Sequence, residues 1–131
     1  MTPTPFDHRL IVQPADIDAM NHVNNVVYLR YAQEVAEAHW QLKGNEALRQ
    51  QFVWVVLRHE IDYLYPSLLG HEILGTTWVE APDGPKIIRN VQLFNTTVGK
   101  ITAKVRTTWC LLDAVSLRPK RIEGEMISLF L

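Results

Sequence analysis

The spacing of apolar and polar residues divides the 131-residue chain into a short strand, a long helix and a run of strands. Residues 6–13, F-D-H-R-L-I-V-Q, read as a first strand. Pro14 ends it, because proline cannot donate to a ladder. From about Asn25 to Leu42 the period becomes helical. At steps of about 100° per residue, Tyr28, Leu29, Tyr31, Ala32, Val35, Ala36, Ala38, His39, Trp40 and Leu42 share one broad arc. Arg30, Gln33, Glu34, Glu37 and Gln41 occupy the other. The apolar arc is wider than the stripe of about 100° that one-sided packing needs, which predicts a helix covered on most sides. Gly44 stands where a C-terminal cap belongs.

Beyond Gly44 the pattern reads entirely as strand. Residues 52–65 are rich in β-branched and aromatic types, and His59 is placed on their apolar face with Leu57 and Ile61. Residues 66–70 read as a turn. Residues 71–80 and 86–95 flank A-P-D-G-P, where Asp83-Gly84 signals a hairpin. Residues 100–112 alternate, with Ile101, Ala103, Val105, Trp109 and Leu111 facing one way and Lys104, Arg106 and Cys110 the other. The tail R-P-K-R-I-E-G-E-M is assigned a short turn or helix. Hairpins imply antiparallel pairing. The expectation is a single α+β domain over residues 1–131, a five-stranded antiparallel sheet wrapped around one long central helix. One helix cannot cover both faces of such a sheet, so a second copy is expected on it, as a homodimer or homotetramer.

Composition narrows the functional classes. Hydrophobic residues make up 47% and net charge is -1, so neither disorder nor a basic nucleic-acid surface is indicated. No apolar run approaches the roughly 20 residues needed to span a bilayer, so no membrane partner is expected. M-T-P-T-P-F-D-H-R contains no apolar leader. Cys110 is the single cysteine, which excludes an internal disulfide and a cysteine zinc cluster and fits a reducing, cytoplasmic compartment. His8, His39 and His71 have no metal-ligand spacing. Neither a metal nor another cofactor is expected.

The chemistry gathers in A-D-I-D-A-M-N-H-V-N-N, just ahead of the helix. Asp18 lies seven residues before Asn25, where the helix should begin. Asn24 or Asn25 is a natural N-cap. The first amides of a helix point outward at the positive end of its dipole. They can polarise a carbonyl oxygen while a nearby carboxylate attacks the carbonyl carbon or activates a water. That arrangement suits ester or thioester hydrolysis. Asx residues ahead of a helix also serve simply as loop and cap residues, and composition alone favours that plainer role.

The motif D-x-D-x-x-N-H-V-N-N-x-x-Y-L-x-Y resembles the signature loop and helix start of the hotdog-fold acyl-CoA thioesterases, and is most similar to their 4-hydroxybenzoyl-CoA thioesterase-like branch. R-H-E-I-D-Y-L-Y-P-S-L-L-G-H-E and R-P-K-R-I-E resemble its second strand and its C-terminal ending. The resemblance implies a hotdog fold and cleavage of an acyl-CoA to a carboxylic acid and free coenzyme A. By position it places the catalytic aspartate at Asp18, as nucleophile or general base, and the carbonyl-polarising backbone amide at Asn25. Some members carry a histidine at that second position. Here the histidine is His22, to orient Asp18 or a water, or to brace the loop. Asp16 is assigned to loop shaping. Tyr28 would line the acyl pocket or pack in the core. Glu34 is a reserve base, because other hotdog branches use a helix carboxylate. Arg58, Lys86 and Arg89 are the candidate cations for coenzyme A phosphates, each otherwise a solvated strand residue. Trp78 and Trp109 are assigned to packing. Two rival functions share the fold: an acyl-carrier-protein thioesterase, which a basic rim would favour, and a non-catalytic acyl-CoA binding module.

Overall fold

Strand β4 (Lys86–Asn95) shows why the chain forms a sheet with one buried face. Ile87, Arg89, Val91 and Leu93 are buried and the residues between them are partly exposed, the period of two that a half-covered strand requires. In a computed structural model describing residues 4–130, β1 (Phe6–Ile11), β2 (Phe52–Tyr63), β3 (Glu72–Val79), β4 and β5 (Lys100–Asp113) form one antiparallel sheet in the order β1-β3-β4-β5-β2. Met1–Pro3 and Leu131 lie outside the described residues. Strands β1 and β2 are the free edges.

Helix α1 (Asn25–Lys43) lies against the inner face and touches β1, β3, β4 and β5. The Asn24 side chain accepts from the Val26 amide at its start, and Gly44 closes its end by donating to Trp40 O. Its buried stripe is Val27, Tyr28, Tyr31, Ala32, Val35, Ala36 and His39. Leu42 and Val26 are 66% and 68% exposed, so within one chain the helix is covered on one side rather than on most. Gly75 on β3 lets α1 approach closely, since a Cβ there would collide with Val35 Cγ2.

Three local features depart from the pattern. Residues 46–51, expected to lead straight into strand, form a short helix, α2 (Glu46–Gln51), capped by the Asn45 side chain on the Leu48 amide. A bulge at Leu57 shifts the register of β2 between Val56 and Arg58. The bulge reverses the parity: Phe52, Trp54 and Val56 face inward before it, and His59 and Ile61 after it, with Leu57 52% exposed. His59 is therefore not on a common face with Leu57. A second irregularity, between Leu93 and Phe94 opposite β5, leaves Thr102 outside the register and fully buried. It puts Ile101 out of phase with Ala103 and Val105. The tail ends in α3 (Glu125–Phe130).

The core has two lobes. One joins the first half of α1 to Ile73, Val91, Leu93, Ala103 and Val105. The other gathers Leu48, Val79, Ile87, Leu111, Ile122, Met126 and Phe130 at the opposite end of the sheet. Each fully buried aliphatic contributes roughly 1.5–3 kcal/mol. No helix among the described residues is long and apolar enough to cross a membrane.

Candidate active site

The loop before α1 folds back as a small hairpin, with Ile17 bridging Val23. Asn21 takes the left-handed conformation at its tip, φ 62°, which asparagine tolerates better than most residues. Asp18 holds the hairpin with both backbone and side chain. Its amide donates to His22 O at 2.8 Å, and its Oδ1 accepts the amides of Met20 and His22 at 2.9 and 3.1 Å. Oδ2 accepts nothing from the described residues and remains available at an exposed position.

Asp18 shares a cleft of about 330 Å³ with His22, Asn25, Tyr28, Tyr63, Tyr65 and Thr102. Asn25 is the first residue of α1, so its N–H has no intrahelical acceptor. The amides of Val26 and Val27 are taken up by Asn24, while that of Asn25 meets no acceptor among the described residues. The cleft thus brings together a carboxylate oxygen and an unused helix-start amide. Asp18, Asn25, His22 and Tyr28 all line it. The His22 ring forms no hydrogen bond to the described residues; its main chain clamps Asp18 and bridges Leu68.

Asp16 has a different environment. It is 2% exposed, and its carboxylate accepts the Tyr31 hydroxyl at 2.7 Å, the Gln13 amide at 2.9 Å and Arg30 Nη2. Burial pushes this carboxyl up, but the hydroxyl, the amide and Arg30 outweigh burial and hold it below its ordinary value. Burial first, then the Asp16 carboxylate, push the Tyr31 phenol up. Asp16 ties the loop to the helix.

Beneath the cleft runs a polar chain that the sequence did not disclose. The Tyr28 hydroxyl accepts from the Ser67 amide and pairs with Thr102 Oγ1, both at 3.2 Å, while the Thr102 hydroxyl donates to Tyr65 O. Ser67 Oγ donates to Thr102 Oγ1 at 2.8 Å and accepts from Asn95 Nδ2 at 3.0 Å. Asn95 Nδ2 also lies 2.9 Å from His71 Nδ1. Ser67, Asn95 and Thr102 are fully buried. Tyr63, Tyr65 and Ser67 lie in D-Y-L-Y-P-S, where an aromatic pair ahead of a proline turn is the available signal.

The other candidates lie elsewhere. Glu34 pairs with Arg30 at 3.5 Å on the exposed side of α1. Arg58 is exposed and pairs with Glu60 at 3.5 Å. Lys86 is exposed at the start of β4. Arg89 is not a solvated strand residue: it is 7% exposed and points inward. His59 Nδ1 lies 2.8 Å from Thr107 Oγ1, and burial holds its imidazole below its ordinary value. Among the described residues no three His, Cys, Asp or Glu side chains cluster as metal ligands would.

A family model of the thioesterase-like superfamily matches residues 12–130, and the chain belongs to that family. No curated protein matches the chain significantly. Solved structures share its fold. Slr0204, a 1,4-dihydroxy-2-naphthoyl-CoA thioesterase from Synechocystis, superimposes with TM-score 0.83 at 13% identity, over 96% of this chain and 95% of that one. YbaW, a probable thioesterase from Escherichia coli, gives 0.78 at 22% identity over 94% of each chain. The Staphylococcus aureus protein SAV2348, solved in complex with CoA, gives 0.81 at 18% identity over 98% and 83%. The chain is a hotdog-fold member of a thioester-hydrolase family.

Proposed function

We propose that the protein hydrolyses acyl-CoA thioesters, with Asp18 as the reacting carboxylate and the Asn25 amide as the oxyanion donor. The observation that carries this reading is the free Oδ2 of Asp18 in one cleft with the unused amide of Asn25. Asp18 takes a proton from water as it adds to the carbonyl carbon, or adds to that carbon itself and forms an anhydride that water opens. In both routes the carbonyl oxygen becomes an oxyanion facing the α1 N-terminus and the C–S bond breaks; in the first the proton taken up by Asp18 passes to the departing sulfur, and in the second coenzyme A leaves as the thiolate and is protonated by water. The two amides on Oδ1 fix the carboxylate's direction. Tyr28 and the polar chain below it hold the cleft wall, and His22 braces the loop with its ring at the rim.

The acting unit in this reading is at least a homodimer paired through the free edge of β2, where Val53, Val55 and Leu57 are 37%, 36% and 52% exposed. Arg58 and Lys86 lie outside their own chain's cleft, so they serve coenzyme A phosphates only across a subunit boundary. The single buried cysteine, Cys110, suits the cytoplasm. Sedimentation should show a dimer or larger at micromolar concentration, burying more than about 1,000 Å². A monomer would sink the interfacial site.

Asp18→Asn tests the chemistry. Asparagine keeps an Oδ1 for the two amides, so folding and acyl-CoA affinity should persist. Turnover should fall at least about a hundredfold, the scale for losing a positioned base. Glu34→Gln should stay within a few-fold of wild type. Near-normal turnover in Asp18→Asn with loss in Glu34→Gln would assign the reaction to the wrong carboxylate.

A further inference from the structure

A second cavity, about 530 Å³, opens between the later half of α1 and the start of β2. Trp40, Trp54, Trp109 and Phe130 give it an aromatic wall, and Arg89 lines it. Arg89 Nη1 bonds His39 Nδ1 at 2.9 Å and Thr77 Oγ1 at 3.0 Å. Neither acceptor carries negative charge. Burial first, then the charges of Arg89 and Lys43, hold His39 down to about 4, so at neutral pH it is an uncharged acceptor. The Phe130 ring centre lies 5.6 Å from Arg89 Cζ. No carboxylate among the described residues is within ion-pairing distance of Arg89. Glu37, which lines the cavity, is exposed on α1 and accepts from Gln41 Nε2 at 3.2 Å.

Two residues that line the cavity therefore have donors left over. Arg89 Nε and Nη2 meet no acceptor among the described residues. Trp109 Nε1 is a buried side-chain nitrogen without a partner. A buried cation without a counter-charge is costly, and so is a buried donor without an acceptor. Core packing would be served as well by an apolar residue. A carboxylate would satisfy the guanidinium through two parallel N–H···O bonds, and an apolar body behind it would fill the aromatic wall.

We propose that this cavity binds an alkyl or aryl carboxylate, its carboxylate on Arg89 and its body among the tryptophans. Combined with the thioesterase reading, on which this second part rests, Arg89 selects acyl groups that end in a carboxylate. Strand β2 carries the cavity at Phe52–Val56 and the Asp18 cleft at Tyr63. Antiparallel pairing of two β2 edges would bring the cavity end of one strand toward the cleft end of the other.

Tryptophan fluorescence of the whole protein reads the first part without any catalysis. Wild type titrated with 4-phenylbutyrate and with its uncharged amide should bind the acid at least about tenfold more tightly. Arg89→Met, with its fold checked by thermal melting, should lose that preference. Equal affinity for acid and amide in wild type would overturn the assignment, and that comparison needs no variant. For the second part, wild type should show higher kcat/KM on suberyl-CoA than on octanoyl-CoA, and Arg89→Met should level the two through KM. Turnover of both by wild type without a suberyl preference would overturn the acyl selection. Turnover of neither, with acid-selective fluorescence intact, would overturn the thioesterase reading and leave the carboxylate cavity standing.

Discussion

Replacing Asp16 by asparagine separates the two aspartates of the loop. In wild type Oδ2 accepts both the Tyr31 hydroxyl and the Gln13 amide, and Oδ1 faces Arg30. An asparagine can keep its oxygen toward Tyr31 and Gln13, but its NH₂ then faces a guanidinium, donor against donor. The variant loses one charge-assisted bond, a contribution of about 1.5–3 kcal/mol. Arg30 is half-exposed and can turn to Glu34 and water, so the lower part of that range applies, about 2 kcal/mol. Asp16→Ala goes further. It strands the Tyr31 hydroxyl at a residue 2% exposed, and the loss rises to about 3–4 kcal/mol. Because the folded carboxyl sits below its ordinary value, its contribution is present above the unfolded pKa and is lost as pH falls through the folded one. Wild type and Asp16→Asn should therefore differ in urea midpoint at pH 7 and converge at the acid end. Turnover of the folded variant should fall far less than in Asp18→Asn. An Asp16→Asn protein as stable as wild type at pH 7 refutes the anchoring role. One that is equally stable yet inactive makes Asp16 the reacting carboxylate.

Other perturbations test the frame around the site. Gly75→Ala should cost roughly 1–3 kcal/mol, seen as a lowered melting temperature, because its Cβ collides with Val35 where α1 crosses β3; an unchanged melting temperature would mean the helix can move away freely. His39 is 1% exposed and held down to about 4, so folding stability should be constant above about pH 6.5, its unfolded pKa, and should fall as pH drops toward 4. The loss from this residue is about 3 kcal/mol at the bottom of that window, and a His39→Asn variant should show a flatter slope in pH-dependent denaturation.

Period and punctuation were enough for most of the elements. The helix over Asn25–Lys43, the strand over residues 86–95 and the Asp83-Gly84 hairpin depend on local pattern, and a sequence carries local pattern directly. The Asp18–Asn25 spacing was readable for the same reason, since seven residues of loop and a helix start are contiguous in the chain. The bulges at Leu57 and Thr102 were not readable. A bulge is set by what the neighbouring strand offers, and one extra residue exchanges the inner and outer faces of everything beyond it. That reversal separated His59 from Leu57 and buried Thr102 beneath Tyr28. Arg89 shows both sides of the boundary. It shares its parity with Ile87, Val91 and Leu93, but a charged residue is usually solvated, and on the sequence alone it reads as a solvated one. Only the packing of α1 and α3 over the sheet, which brings His39 and Phe130 onto a side chain far away in sequence, decides that this cation is buried, with no carboxylate among the described residues paired to it.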